Sequence, residues 1–163
     1  MKKNDVTNIL VDNNNSKIEL IDLFTEMINV SQLLNKIKDQ FYKKFQITQI
    51  QFRALSVIYV CEERNVKLSV LSEKLNITRP SVTALIDRME CAGLVERSSN
   101  KDDRRSIGVV ITDKGKEIMK TVLPNNKAFE VSIADFLTEE EKENLYKITI
   151  KLKEELTQKF LKD

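Results

Sequence analysis

Cationic and small polar side chains between residues 67 and 116 could bind the phosphates and base edges of a nucleic acid. The stretch has ten basic residues against seven acidic ones, a modest excess that is compatible with DNA but not diagnostic of it. Arginine and lysine suit phosphates and base edges, and small side chains allow close approach to a groove. Two groups of candidate DNA-contacting residues stand out: Arg79, Pro80, Ser81, Thr83, Ala84 and Arg88, and then Lys101, Asp103, Arg104 and Arg105.

Two short helices joined by a tight turn are predicted to position the first group. Residues 68–75 are amphipathic, and Ser69 is placed to cap their N-terminus. Asn76 and Ile77 interrupt this pattern, and Thr78 can cap a second helix whose first turn tolerates a proline. Gly93 suits the left-handed residue that ends the second helix. This pattern predicts a helix-turn-helix whose second helix is the candidate for a DNA major groove.

The second helix is predicted to have two distinct faces. Apolar residues at helical spacing should point into the core: Val82, Leu85, Ile86 and Met89. The six candidate contact residues lie on the opposite face or near the N-terminal end. The alternative is an ordinary surface helix, in which Arg88 is solvated beside its neighbour Asp87, and the helix pair alone does not decide between the two.

A long hairpin is predicted to carry the second group. Residues 94–98 and 107–111 are rich in β-branched residues and predict two short strands. The polar residues 99–106 between them are too many for a tight turn, so the hairpin resembles a wing. An arginine extended from such a loop is attracted to a narrow minor groove, and Asp103 could orient a guanidinium by bidentate pairing. The alternative is a solvated charged loop without a partner.

The same residues carry a family resemblance. Asp103-Arg104-Arg105, followed by Ile111-Thr112-Asp113-Lys114-Gly115, resembles the Asp-x-Arg … Leu-Thr-x-x-Gly signature of the MarR (multiple antibiotic resistance regulator) family. Residues 68–77, 82–90 and 93–97 also resemble that family's winged helix. The resemblance is strong over the middle third of the chain and weaker towards both ends. It implies a dimeric bacterial transcription regulator in which Arg105 enters the minor groove and Asp103 orients it.

Two positions depart from the family pattern. Pro80 stands where the family often has serine or threonine, which puts one DNA contact in doubt. Gly108 is expected to loosen a strand position. The resemblance also implies a ligand-responsive repressor, with a phenolic or other aromatic small molecule as the candidate effector. The effector-binding residues are left unassigned.

Further helices are predicted on both sides of the winged helix. Residues 17–45 form a long helix with an apolar seam, and Thr48 opens the next one through a capping box with Gln51. Thr112 should cap a helix in which Gly115 allows close backbone packing, and Pro124 should kink or end that helix. A second capping box, at residues 138–141, opens a last helix with one apolar stripe: Leu145, Ile148, Leu152, Leu156 and Phe160.

The predicted fold class is mainly α with a small β wing, a winged helix-turn-helix flanked by N- and C-terminal dimerisation helices. The predicted organisation is a mobile segment over residues 1–16, a dimerisation helix over 17–45, a DNA-binding lobe over 46–116, and C-terminal dimerisation helices over 117–163. A twofold homodimer would cover the apolar seams of both copies. It would present two reading helices about 34 Å apart to a palindromic double-stranded DNA operator.

Composition argues against several other classes of protein. The sequence has no histidine and two cysteines, so we expect no metal site and no cofactor. It has no Gly-rich phosphate loop or nucleophile elbow, so we expect no enzyme. No run is long enough to span a bilayer, so we expect no membrane association and a cytoplasmic location.

Two alternatives to the ligand-responsive repressor stay open. One is a winged helix that contacts proteins instead of DNA. The other is a repressor that senses oxidants through a cysteine. Cys61 and Cys91 are predicted to be small buried hydrophobic residues instead.

Overall fold

The computed structural model describes residues 19–61, 65–99 and 107–161. These ranges contain six helices and three short strands: α1 (Leu20–Lys43), α2 (Gln49–Val60), β1 (Val66–Lys67), α3 (Leu68–Leu75), α4 (Arg79–Cys91), β2 (Val95–Ser99), β3 (Ile107–Ile111), α5 (Asp113–Ile133) and α6 (Glu139–Phe160). The mobile segment predicted over residues 1–16 lies outside the described residues. The chain divides into two units between Gln46 and Ile47.

Helix α1 belongs to the first unit and has a broad exposed apolar surface. The long helix predicted over residues 17–45 is confirmed from Leu20 to Lys43. Near its end, the ring of Phe41 makes edge-on contacts with the rings of Tyr42 and Phe45, at centroid distances of 5.2 and 5.3 Å. Large apolar side chains that remain 40–70% exposed are Leu20, Ile21, Leu23, Phe24, Met27, Ile28, Val30 and Leu33.

The second unit has a hydrophobic core built by α2, α3, α4, α5 and the sheet. Its largest fully buried side chains are Leu55, Ile58, Leu71, Val82, Leu85, Ile86, Met89, Val95, Val109, Met119 and Val122. The four apolar residues predicted to face inward from the second helix of the pair are all among them. This core fixes α4 through one face and leaves the other face in solvent.

Three antiparallel strands form a small sheet in the order β1-β3-β2. The hairpin of β2 and β3 was predicted, but β1 was not, because two residues carry no readable strand pattern. Val66 of β1 pairs with Val109 of β3. Gly108 was predicted to loosen its strand, and this stays a prediction. The structure gives another reason for a glycine there, since a Cβ atom would lie 2.4 Å from the Cβ of Asn65. Glycine is needed because the chain passes so close.

Local hydrogen bonds define most helix starts as predicted. Thr48 and Gln51 form a capping box at α2, and Thr138 and Glu141 form another at α6. The expected cap by Ser69 is wrong, because α3 begins at Leu68 and Lys67 precedes it without a side-chain cap. Lys67 is the last residue of β1, so the helix follows directly on a strand that β3 holds in place.

Pro124 lies inside α5, which continues to Ile133. Of the two predicted alternatives, an end of the helix at Pro124 is therefore wrong, and a kink there stays a prediction. The side-chain amide of Asn125 donates to the carbonyl oxygen of Thr121 at 2.8 Å, which adds a hydrogen bond in the turn where the proline lacks an amide. Helix α6 has no buried residue along its described length, and its predicted stripe includes Ile148 at 65% and Phe160 at 67% exposure.

Candidate nucleic-acid interface

The start of α4 is defined by its own polar side chains. Thr78 is the N-cap, and its hydroxyl accepts a hydrogen bond from the backbone N–H of Ser81 at 3.4 Å. The Ser81 hydroxyl lies 2.9 Å from that of Thr78, and the Thr83 hydroxyl donates to the carbonyl oxygen of Arg79 at 3.2 Å. Pro80 stands in the first turn, where its missing N–H has no intrahelical partner to lose. The cap predicted from the sequence is confirmed.

The structure places the first group of candidate residues together on the exposed side of α4. All six are solvent-exposed: Arg79, Pro80, Ser81, Thr83, Ala84 and Arg88. They alternate with the buried apolar residues at helical spacing, so the predicted division of the helix into two faces is confirmed. Two arginine side chains, two small hydroxyl side chains and two small apolar ones form a surface that could enter a groove and contact phosphates or base edges.

The turn that leads into α4 is closed by hydrogen bonds from both sides. Asn76 adopts the left-handed conformation with φ of 54°, and the backbone N–H of Ile77 donates to the carbonyl oxygen of Ser72 at 3.2 Å. The Ser72 hydroxyl donates to the carbonyl oxygen of Ile77 at 2.6 Å. Arg53 of α2 donates to the carbonyl oxygen of Leu75 at 3.1 Å, which satisfies a carbonyl at the end of α3. The helix pair is thus fixed by contacts beyond its own sequence.

The C-terminal end of α4 is held by the start of α5. Gly93 follows the helix with φ of +70°, as the sequence predicted for a left-handed stop. The Lys114 ammonium donates to the carbonyl oxygen of Ala92 at 2.7 Å, and the Thr112 hydroxyl donates to that of Gly93 at 2.7 Å. A cation at this end also interacts favourably with the helix dipole.

Strands β2 and β3 confirm the predicted hairpin, with Val95 opposite Ile111 at its base. The second group of candidate residues lies on the connection between them, outside the described residues: Lys101, Asp103, Arg104 and Arg105. Their DNA contacts stay predictions.

Arg97 on β2 contacts α4 in a way that the sequence analysis missed. Its guanidinium donates to Asp87 Oδ1 at 2.5 Å and to Glu90 Oε2, and its backbone N–H donates to Glu90 Oε1 at 3.1 Å. The hydrogen bond to Asp87 is the main cause that raises the pKa of Arg97 above its ordinary value, and Glu90 adds to it, so the guanidinium stays charged. The available signal was two acids three residues apart on a helix that precedes a strand arginine.

Neither cysteine is fully buried. Cys91 is exposed at the last residue of α4, so the prediction that it is buried was wrong, and Cys61 is half-buried. Among the described residues, no group of histidine, cysteine, aspartate and glutamate side chains could hold a metal ion. None of the helices in the described ranges is both long enough and apolar enough to cross a membrane.

Comparisons with known proteins agree with this geometry. Residues 47–107 match the model of the MarR family. The transcriptional repressor MprA of Escherichia coli is 31% identical over 128 residues, which are 78% of this chain and 72% of that one. AbsC, a MarR family transcriptional regulator from Streptomyces coelicolor, shares the fold with a TM-score of 0.77 and 24% identity, over 89% of this chain and all 100% of that one.

The structural neighbours include a protein–DNA complex. The chain resembles MepR in the S. aureus MepR-DNA complex with a TM-score of 0.71 and 21% identity, over 87% of this chain and 99% of that one. At this identity the likeness establishes the fold. Together with AbsC it confirms the predicted fold class, a winged helix-turn-helix with additional helices.

Proposed function

The chain belongs to the MarR family of transcription regulators, and from that premise we propose that it is a repressor that binds a palindromic operator as a homodimer. The observation that carries this proposal is the surface of α4. One face is locked into the core of its unit, and the other presents Arg79 and Arg88 among small side chains. A helix that exposes cationic and small side chains along one face suits the major groove.

Each candidate residue has a proposed task. Arg79 and Arg88 bind phosphates or guanine edges. The hydroxyls of Ser81 and Thr83 exchange their present hydrogen bonds to Thr78 and Arg79 for bonds to phosphates or bases. Pro80 and Ala84 permit close approach. The wing is the β2–β3 hairpin with its connecting residues 100–106. There the family resemblance implies that Arg105 enters the minor groove and that Asp103 orients it. We further propose that Lys101 and Arg104 bind phosphates.

Exposed apolar surfaces support the homodimer. Helix α1 carries eight large apolar side chains that are at least 40% exposed, and every residue of α6 is at least partly exposed. Contiguous apolar patches of this kind mark interaction sites. In a twofold dimer the same patch serves both copies, so we propose residues 17–45 and 117–163 as the dimerisation segments and 46–116 as the DNA-binding lobe.

We propose that a small aromatic effector, such as a phenolic compound, releases the repressor from DNA. An effector can act in this way only if it binds one geometry of the dimer more tightly than the other. The residues that bind the effector stay unassigned.

The decisive experiment measures binding to duplex DNA from the region upstream of the protein's own gene, by fluorescence anisotropy over a series of salt concentrations. We expect Arg88→Ala and Arg105→Ala to weaken binding and to reduce the slope of log K against log salt by about 1 for each lost phosphate contact. Lys151→Ala is the charge control, because it removes one exposed positive charge from α6. Helix α6 is a proposed dimerisation segment, so sedimentation equilibrium should give a dimer for this variant as well as for the unmodified protein.

A protein that binds no duplex at low salt would contradict the proposal, as would equal effects of Arg88→Ala and Lys151→Ala. Addition of candidate phenolic compounds to the bound complex tests the effector separately. The effector proposal fails if none of them shifts the binding curve.

A further inference from the structure

Arg97 joins the two elements that are proposed to contact DNA. It lies on β2, opposite Val109 of β3, and therefore belongs to the hairpin that carries the wing. Its guanidinium bridges two carboxylates on α4, and its own backbone N–H bonds one of them. Three hydrogen bonds from a single hairpin residue thus converge on one turn of α4.

The position of the bridged acids makes this contact unusual. Asp87 lies four residues after Thr83 and three after Ala84, so helical spacing places it beside them on the exposed face of α4. Its side chain is 56% exposed. A free carboxylate at this place would repel the phosphates of a bound duplex. Its hydrogen bond with the Arg97 guanidinium offsets this repulsion, so the pairing accounts for an acid on the exposed face of α4.

The guanidinium is well suited to this bridge. It is planar, and it offers several N–H groups in fixed directions, so it can bond two carboxylates at once and hold both elements at one angle. An ammonium group would supply the charge without the geometry. The Arg97 side chain is itself only 28% exposed, so it is partly enclosed between the hairpin and the helix instead of extending towards solvent.

We propose that Arg97 is a positioning residue that fixes the wing relative to α4 through Asp87 and Glu90, so that both elements meet the duplex in one arrangement. This inference rests on the proposed DNA binding. Arg97 acts through the wing and does not itself bind phosphate, since its donors are directed at the two carboxylates. Asp87 has the corresponding role on the helix, as the acceptor that anchors the hairpin.

The first test uses Asp87→Ala, for which charge and geometry give opposite expectations. Removal of an acid from a DNA-facing helix should tighten binding by simple electrostatics, whereas loss of the anchor should weaken it. We expect affinity for operator DNA to fall about tenfold, a loss within the range of measured couplings in such networks. Glu96→Ala is the matched control, because Glu96 is also an exposed acid and lies next to Arg97 on β2. This control should bind as tightly as the unmodified protein or more tightly.

The second test is a double-mutant cycle between Arg97→Gln and Arg105→Ala. If Arg97 positions the wing, Arg97→Gln should cost about tenfold in the unmodified protein and less than about threefold once the wing arginine is absent. Thermal unfolding of each variant separates loss of positioning from loss of fold, and Asp87→Ala serves where Arg97→Gln does not fold.

Two results would overturn the inference while leaving the proposed DNA binding intact. They are tighter binding by Asp87→Ala and equal costs of Arg97→Gln in both backgrounds. Failure of the unmodified protein to bind DNA would instead contradict the proposed function itself.

Discussion

Gly115 lies in the first turn of α5, against the backbone of Leu94 in the segment that follows α4. Its replacement by alanine tests whether the packing at this contact can accommodate one more carbon atom. An added Cβ atom would lie 2.3 Å from the carbonyl oxygen of Leu94 and 2.7 Å from Cγ1 of Ile111. The first distance is about 1 Å shorter than an ordinary C···O contact. The obstacle is backbone, so no rotamer change can relieve it.

Two opposing effects decide the size of the change. Alanine is favoured over glycine inside a helix by about 1 kcal/mol. Overpacking costs about 1–3 kcal/mol, and a shift of the Leu94 carbonyl would also weaken the hydrogen bond that it accepts from the Thr112 backbone N–H at 3.2 Å, at about 1 kcal/mol. The net expectation is that Gly115→Ala lowers the free energy of unfolding by about 1–3 kcal/mol.

Urea unfolding followed by far-UV circular dichroism measures this, at one fixed protomer concentration because dimerisation would contribute to stability. For an m-value of about 2 kcal/mol/M, the midpoint should fall by about 0.5–1.5 M. Glu117→Ala is the control, since Glu117 is exposed in the same part of α5. Its free energy of unfolding should change by less than about 0.5 kcal/mol, which is a midpoint shift of less than about 0.25 M at this m-value. A midpoint for Gly115→Ala at or above that of the unmodified protein would refute the reasoning, because helix propensity alone predicts that result.

Two further expectations concern other helix ends. Gly93 has φ of +70°, and a Cβ atom added there would have its nearest contact at 3.8 Å, with Lys114. Gly93→Ala should therefore lower the free energy of unfolding only by the cost of a left-handed residue, about 1–2 kcal/mol. Thermal unfolding should show that Gly93→Asn is more stable than Gly93→Ala. At α6, the hydrogen bond from the Thr138 backbone N–H lowers the pKa of Glu141 below its ordinary value of 4.5. Its stabilising effect is therefore complete above pH 4.5 and is lost as pH falls through the lowered value, so acid titration should destabilise the unmodified protein more steeply than Glu141→Gln.

Sequence patterns predicted those parts of the fold that depend on neighbours a few residues away. The caps at Thr48, Thr78, Thr112 and Thr138 each involve a bond to the residue three positions later. The faces of α4 follow from the 3.6-residue period, which is equally local. Gly115 was predicted to allow close packing, and the approach of Leu94 confirms it.

Several features that the sequence analysis missed or predicted wrongly depend on distant residues. Strand β1 exists because β3 pairs with it, and Gly108 is needed because Asn65 passes beside it. The exposure of Cys91, the last residue of α4, depends on which other elements pack against that end of the helix. The contact of Arg97 with Asp87 spans ten residues and two kinds of secondary structure. None of these contacts leaves a periodic pattern in the sequence. The exposed face of α4 could therefore be predicted, but the contacts that orient the helix could not.

Those distant contacts explain how the orientation of α4 is determined. Arg53 of α2 satisfies the end of the preceding helix, Arg97 of the hairpin binds the exposed side of α4, and Lys114 of α5 donates to the carbonyl group that follows it. Each contact comes from a different element, so α4 cannot rotate alone without losing at least one charged hydrogen bond. Because the last of these contacts belongs to the first turn of α5, a displacement of α5 must move the end of α4 or break it. Within the described residues of this unit, Lys114 therefore links the first turn of α5 directly to the end of α4 through the carbonyl oxygen of Ala92. We expect a displacement of α5 that breaks this bond to change the orientation of α4.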